Sequence, residues 1–236
     1  VANVYLGSKK KKRSKFWISL IIIIVAVVAF FGFFFYRYSR LTKSPVVSAD
    51  ALTYVVSYSE DLYFIRVLNN NRKVMVMKIQ NGTTFPGQYI TLTSDNLEIA
   101  ARNFLNLFEL KSDVNYYLYL SDNLANELIS KLNGTTSQGI DGLLTALKNS
   151  KFNMWEVFTL GGVINTIKDY DRSSNIDQEG FYALINAFSK YAITNYDKLT
   201  IPLVLDEPLQ INIGTQKLER KYADVGAFQR MKEILE

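Results

Sequence analysis

The chain contains no cysteine and no histidine. The first absence excludes disulfides, thiol nucleophiles, thiolate metal sites and a lipoprotein anchor. The second excludes histidine-based triads and the usual zinc sites, and leaves acids, Lys, Tyr and Ser/Thr as the only possible catalysts. Acidic residues are missing from positions 1–43, which carry nine basic side chains. The net charge of +5 is therefore misleading, because residues 44–236 hold 18 basic and 22 acidic side chains. That larger part is mildly acidic and lacks the basic field that nucleic acid demands. The sequence also has no Gly-rich phosphate loop, no Ser nucleophile elbow and no cluster of metal-ligating side chains.

What the chain does have is one long apolar run. Phe16–Tyr36, FWISLIIIIVAVVAFFGFFFY, is 21 residues without a charge. A bilayer core about 30 Å thick needs roughly 20 apolar residues at about 1.5 Å each. Fifteen of the 21 are Ile, Leu, Val or Phe, and together they favour insertion by roughly 6 kcal/mol. Six basic residues precede the run (Lys9–Arg13 and Lys15) and three follow it (Arg37, Arg40 and Lys43). This bias predicts a cytoplasmic N-terminus with the remainder outside. A cleaved signal peptide has a shorter apolar region followed by small residues. Here bulky Tyr36-Arg37-Tyr38 follows, so an uncleaved signal anchor in the cytoplasmic membrane is expected. The lysine run then sets topology and meets anionic lipid heads.

The pattern predicts a basic tail over 1–15, the anchor over 16–36, a linker over 37–50, an extracytoplasmic α/β domain over 51–216 and a helix over 217–236. Leu52–Tyr58, Leu62–Leu68 and Val74–Ile79 are rich in β-branched and aromatic residues and read as strands, with Asn69-Asn70-Asn71-Arg72 as a hairpin loop. Val74, Val76 and Lys78 face one way; Met75, Met77 and Ile79 face the other. Residues 81–88 read as a loop. Asp95 with Glu98 predicts a capped helix start, and Tyr116–Leu120 a strand. Asp122 is expected to open a helix stopped by Gly134. Three amphipathic helical pieces follow, built on Ile140–Leu147, on Met154–Ile167 with a bend at Gly161-Gly162, and on Phe181–Tyr191. Leu199–Leu205 reads as an edge strand interrupted by Pro202, with Leu209–Ile213 as its partner. The fold class expected is an α/β (α+β) sandwich, a mixed sheet flanked by helices and preceded by one transmembrane helix.

Asn81-Gly82-Thr83 and Asn133-Gly134-Thr135 match the glycosylation acceptor pattern, but both sit where an Asn-Gly turn is expected anyway. Asp141, Asp169, Asp171 and Asp177 are expected to cap helices, and Arg66 and Arg102 to snorkel or pair.

The order of segments over residues 61–205 resembles the LytR-CpsA-Psr family of envelope proteins. Asp61–Val67 looks like that family's acid-led strand. Lys73–Thr84, KVMVMKIQNGTT, is similar to its second strand running into an Ile-Pro-Arg-Asp-Thr loop. Leu97–Leu110 and Val114–Gly134 resemble its helix, Tyr-rich strand and helix. Asn175-Ile176-Asp177 resembles its Asn-led helix start. The resemblance implies attachment of glycopolymers from polyprenyl-pyrophosphate carriers onto peptidoglycan, with Mg²⁺ and arginines around the pyrophosphate. Gln80-Asn81-Gly82 replaces the family's Pro-Arg-Asp, Ser59-Glu60-Asp61 lacks its arginine, and the Arg-rich segment after Gly134 is replaced by residues 135–139. Arg forks and Mg²⁺ hold and stabilise a departing pyrophosphate. Without them the resemblance implies a catalytically degenerate member, a pseudoenzyme with no catalytic residue and no cofactor, Mg²⁺ entering only if the family activity is retained. Asp61, Asn81 and Thr83 would line a vestigial ligand pocket. The expected partners are the membrane and a polyprenyl-linked glycan, peptidoglycan or another envelope protein, with no nucleic acid. The alternatives are an active glycopolymer–peptidoglycan phosphotransferase with substituted residues and a structural subunit of an envelope assembly.

Overall fold

The computed structural model describes residues 13–134, 138–150, 156–205, 207–213 and 216–235. The lysine run at 9–12 lies outside them. Helix α1 (Arg13–Thr42) is long and apolar enough over Phe16–Thr42 to cross a membrane. Ile22, Val28 and Phe35 project outward from it rather than into a protein core. No helix breaker stands between Tyr36 and Lys43, so the helix continues through much of the expected 37–50 linker. Ser44 then caps a short helix α2 (Pro45–Ser48), with Pro45 at its first position.

Strands β1 (Ala51–Tyr58), β2 (Asp61–Leu68) and β3 (Lys73–Gln80) form an antiparallel meander. Its first connection turns at Ser59 (φ 55°). In the second, Arg72 rather than an asparagine takes the left-handed conformation (φ 48°). Asn69 instead donates to Val47 O and accepts from Tyr191 Oη, tying α2 to the sheet. Strand β4 (Thr83–Phe85) lies within the expected 81–88 loop, because the chain turns at Gly82 (φ 81°) into a second hairpin with β5 (Ile90–Leu92).

Helix α3 (Leu97–Leu107) is capped by Asn96, whose Oδ1 accepts from Ile99 N at 3.0 Å; Asp95 does not cap it. Strand β6 (Val114–Leu120) follows, then helix α4 (Asp122–Lys131) with Ser121 as its cap. Asn133 (φ 57°) supplies the left-handed residue that ends α4, and Gly134 N donates back to Ile129 O at 2.8 Å. Gly134 has a different role from the one its sequence context predicts: a Cβ there would lie 2.9 Å from that of Ala146 on α5 (Gly139–Asn149).

A 3₁₀ turn (Glu156–Phe158) leads into α6 (Thr159–Tyr170), then α7 (Gln178–Lys190) and β7 (Ala192–Thr194). Gly161-Gly162 lies within α6 and makes no bend; Met154 is outside the described residues. Leu199–Leu205 is not a strand: only isolated bridges at Thr200 and Leu203 connect it to its neighbours, since Pro202 has no N–H for a ladder. Strand β8 (Leu209–Ile213) pairs instead with β9 (Gln216–Tyr222), which replaces the first part of the expected 217–236 helix. The terminal helix α8 (Val225–Leu235) begins at the Asp224 cap and turns Ala227, Phe228, Met231 and Leu235 inward, with Val225 and Ile234 exposed.

The main sheet has five strands in the order β6-β1-β2-β3-β7, with β6 and β7 parallel to their neighbours. A second sheet runs β5-β4-β9-β8. Both are mixed and flanked by helices. Side-chain alternation along β1–β3 divides the core. Tyr54, Ile65, Val74 and Val76 meet α4–α7 on one face. Phe64, Met75, Met77 and Ile79 meet α3 and α8 on the other. Tyr54 and Tyr116 stack at 5.0 Å on the first face, and Phe64 and Phe104 at 4.1 Å on the second. The free edge of β6 is covered by a loop: Asp171 and Asn175 accept from Tyr119 N and Tyr117 N, both at 2.8 Å.

Candidate functional site

Asp61 opens β2 on the α4–α7 face, level with Tyr58 of β1 and Gln80 of β3. Its carboxylate pairs with Lys78 Nζ at 2.8 Å. Lys78 belongs to the Val74–Val76–Lys78 row, and its cross-strand partner is Tyr63. The ammonium lies 5.9 Å from the Tyr63 ring centre and 6.0 Å from that of Tyr196, and the two rings meet edge to face. Tyr196 Oη donates to Asp141 in the first turn of α5. Beside them Tyr58 Oη donates to Asp122 Oδ1 at 2.6 Å. The result is a half-buried cluster of three acids, one lysine and three tyrosines at one end of the sheet.

Its electrostatics follow from these pairs. The Asp61 hydrogen bond raises the Lys78 ammonium above its ordinary range, against the opposing effect of burial. The Asp122 bond pushes the Tyr58 phenol up to about 12. Burial, then the bond to Asp141, holds Tyr196 well above the usual tyrosine value. Burial raises Tyr63 while Lys78 partly offsets it. Every phenol is thus held as a neutral donor, and the lysine as a cation. The arrangement offers hydroxyl donors, aromatic faces and carboxylates to a polar ligand.

Asn81 and Thr83 share no hydrogen bond with this cluster. Asn81 Oδ1 accepts from Ser94 N at 2.8 Å, and Thr83, fully buried, donates from Oγ1 to Gln80 O at 2.7 Å. Both serve the β3–β4 turn. Asp61 thus lies in the polar cluster, whereas the Asn81 and Thr83 side chains bond to main chain. The remaining sequence candidates also find definite places. Asp177 caps α7, accepting from Gly180 N at 2.7 Å. Arg66 neither snorkels nor pairs. It is 4% exposed and donates to Thr53 Oγ1 and Lys111 O, and burial pulls it down to about 10. Lys78 is the residue that sequence reasoning missed. Its signal was an ammonium on the apolar side of an otherwise apolar row.

Magnesium does not fit the residues present. Asp61 is already paired with an ammonium, and among the described residues no three acids come close enough together to hold a metal ion.

No family model matches the chain, and no curated protein matches it. Solved structures do. Lmo1026 from Listeria monocytogenes superposes with a TM-score of 0.50 at 10% identity, over 81% of this chain and 96% of that one. YwtF (TagT), a LytR-CPS2A-psr family protein with bound octaprenyl pyrophosphate lipid, is similar at TM-score 0.45 and 12% identity, over 79% and 89% of the chains. TagV of B. subtilis is similar at TM-score 0.45 and 8% identity, over 79% and 95%. At these identities the likeness is one of fold.

Proposed function

We propose that the chain is a single-span envelope protein, its N-terminus in the cytoplasm and its LytR-CpsA-Psr-like domain outside, and that this domain binds a polyprenyl-linked glycan without transferring it. One observation carries the reading. Helix α1 passes from its apolar run straight into the domain core, where Leu41 is 6% exposed and packs with the α4–α7 face. A domain mounted so rigidly on its anchor works at the bilayer surface, where lipid-linked polymers present their headgroups. The ligand class is carried over from the octaprenyl pyrophosphate lipid that YwtF (TagT) holds. Binding rather than transfer is favoured because Lys78 occupies Asp61 and no arginine stands in the cluster around them.

The test is mass spectrometry of lipid extracted from the detergent-purified full-length protein, beside an unrelated single-span control. A stoichiometric polyprenyl-phosphate species is expected. Absence of any species beyond those on the control overturns the reading and leaves the fold without this ligand.

A further inference from the structure

Two hollows flank the point where α1 enters the domain. One, about 340 Å³, lies between Arg37, Arg40 and Leu41 of α1 and Gln178–Glu179 of α7. The other, about 480 Å³, is lined by Ser39, Arg40, Lys43 and Pro45, and shares Tyr36, Arg40 and Glu179 with the first. Their level relative to a bilayer follows from the sequence. The uncharged run ends at Tyr36, and each headgroup layer is about 5–7 Å thick. Arg37 therefore sits at the hydrocarbon boundary, and Arg40 about 4.5 Å further out, within the headgroups.

The domain itself reaches that boundary. Phe158 packs on Phe34 with ring centres 3.7 Å apart, and Phe34 is two residues inside the run. Arg37 lies over the rings of Phe33 and Phe158, at 5.9 and 5.7 Å, which holds its guanidinium on the wall of the first hollow. Neither salt bridge among the described residues involves Arg37, Arg40 or Lys43. The acids on the wall are already engaged: Glu179 accepts from Ser44 Oγ, and Asp177 caps α7.

We infer that these hollows seat the phosphate of an anionic phospholipid from the leaflet facing the domain, with Arg40 and Lys43 as its ligands and Arg37 at its base. The acyl chains run down beside Phe33 and Phe158. The inference rests on α1 spanning a bilayer. It is independent of the side on which the domain lies and of any glycan. Because Arg40 and Lys43 are exposed, their loss leaves the core intact.

Native mass spectrometry of the full-length protein released from mixed phosphatidylglycerol–phosphatidylcholine micelles tests it. The wild-type protein is expected to retain one phosphatidylglycerol. The Arg40→Gln/Lys43→Gln double variant should lose occupancy roughly thirtyfold, the loss expected for two cations at an anionic surface. A charge-matched control, Lys131→Gln/Lys148→Gln, should retain it. Equal occupancy in the double variant overturns the assignment. So does displacement of the lipid by millimolar inorganic phosphate, which would make a soluble phosphate the ligand. Alkaline extraction of membranes, run in parallel, separates the premise from the site: release of the protein refutes the span itself, whereas retention without phosphatidylglycerol selectivity refutes the lipid seat alone.

Discussion

Tyr58 is held neutral by Asp122, and this has a consequence at alkaline pH. A phenol whose folded pKa is raised from 10.0 to about 12 ionises late in the native state. In the unfolded chain it ionises near 10. Stability from this pair is therefore fully present below pH 10 and is lost as pH rises towards 12. Buried Tyr54 and Tyr116, raised chiefly by burial, add to the same slope. Ultraviolet titration is expected to show the Tyr54 and Tyr116 phenols ionising only on unfolding. Tyr58→Phe should flatten the alkaline fall in unfolding free energy; an unchanged slope refutes the pairing. Gly180 is a steric case. A Cβ there would lie 2.3 Å from the Tyr116 ring, which is itself stacked on Tyr54. Gly180→Ala is expected to cost about 2 kcal/mol in denaturant unfolding, because a packed ring has to move. Arg66 points the other way. Its guanidinium is buried with no carboxylate beside it, and an apolar side chain of similar volume removes the desolvation cost. Arg66→Met is expected to leave stability equal or higher, and a large loss would show that its two hydrogen bonds outweigh its burial.

At the level of elements, the joint between α1 and the domain is the most testable contact. Arg40 and Lys43 are tryptic sites, yet the chain around them is helical and docked through Leu41 and the Ser44–Glu179 bond. Limited proteolysis of the purified protein should spare them. Phe158→Ala, which removes the ring packed on Phe34, should speed cleavage there several-fold by local unfolding. Equal rates would mean that the ring contact does not brace the joint. The elements also show what was legible beforehand. Strands β1–β3 and β6 follow from runs of β-branched and aromatic residues, and the helices α3–α7 from 3.6-residue periodicity, which burial on one face forces. The short strands β4, β5 and β7 did not, since three residues carry no period. Strand β9 was hidden because QKLERKY is mostly charged and sets its Leu218 and Tyr222 four residues apart, the spacing of a helix face. The same limit applied to the site. Asp61 stood out as an acid at a strand start, but its ammonium partner comes from β3 and its aromatic neighbours from β2 and the loop after β7, a convergence that only the sheet order β2-β3-β7 creates.

For the whole molecule the governing fact is asymmetry of charge about one apolar helix. Six cations precede the run and three follow it, while the domain beyond is net acidic. Positive charge on short flanks resists translocation more strongly than acidic charge does, and the proposed orientation, N-terminus inside and domain outside, rests on that bias. The lack of cysteine makes this directly measurable, since any cysteine introduced is the only thiol in the chain. Tyr89 is 95% exposed on the β4–β5 turn, far along the chain from α1, and Ser8 lies before the lysine run. A membrane-impermeant maleimide added to intact cells is expected to label Tyr89→Cys and to spare Ser8→Cys until the membrane is permeabilised. The reversed pattern would invert the topology and remove the domain from the envelope's polymers. Labelling of both without permeabilisation would deny the span altogether. Replacing Lys9–Lys12 with glutamine adds a graded arm, because it leaves only Arg13 and Lys15 before the run against three cations after it. If flank charge is what orients the chain, part of that variant's population should expose Ser8→Cys to the reagent. A chain that keeps its orientation would show that translocation of the folded domain, rather than the lysine run, decides which side it occupies.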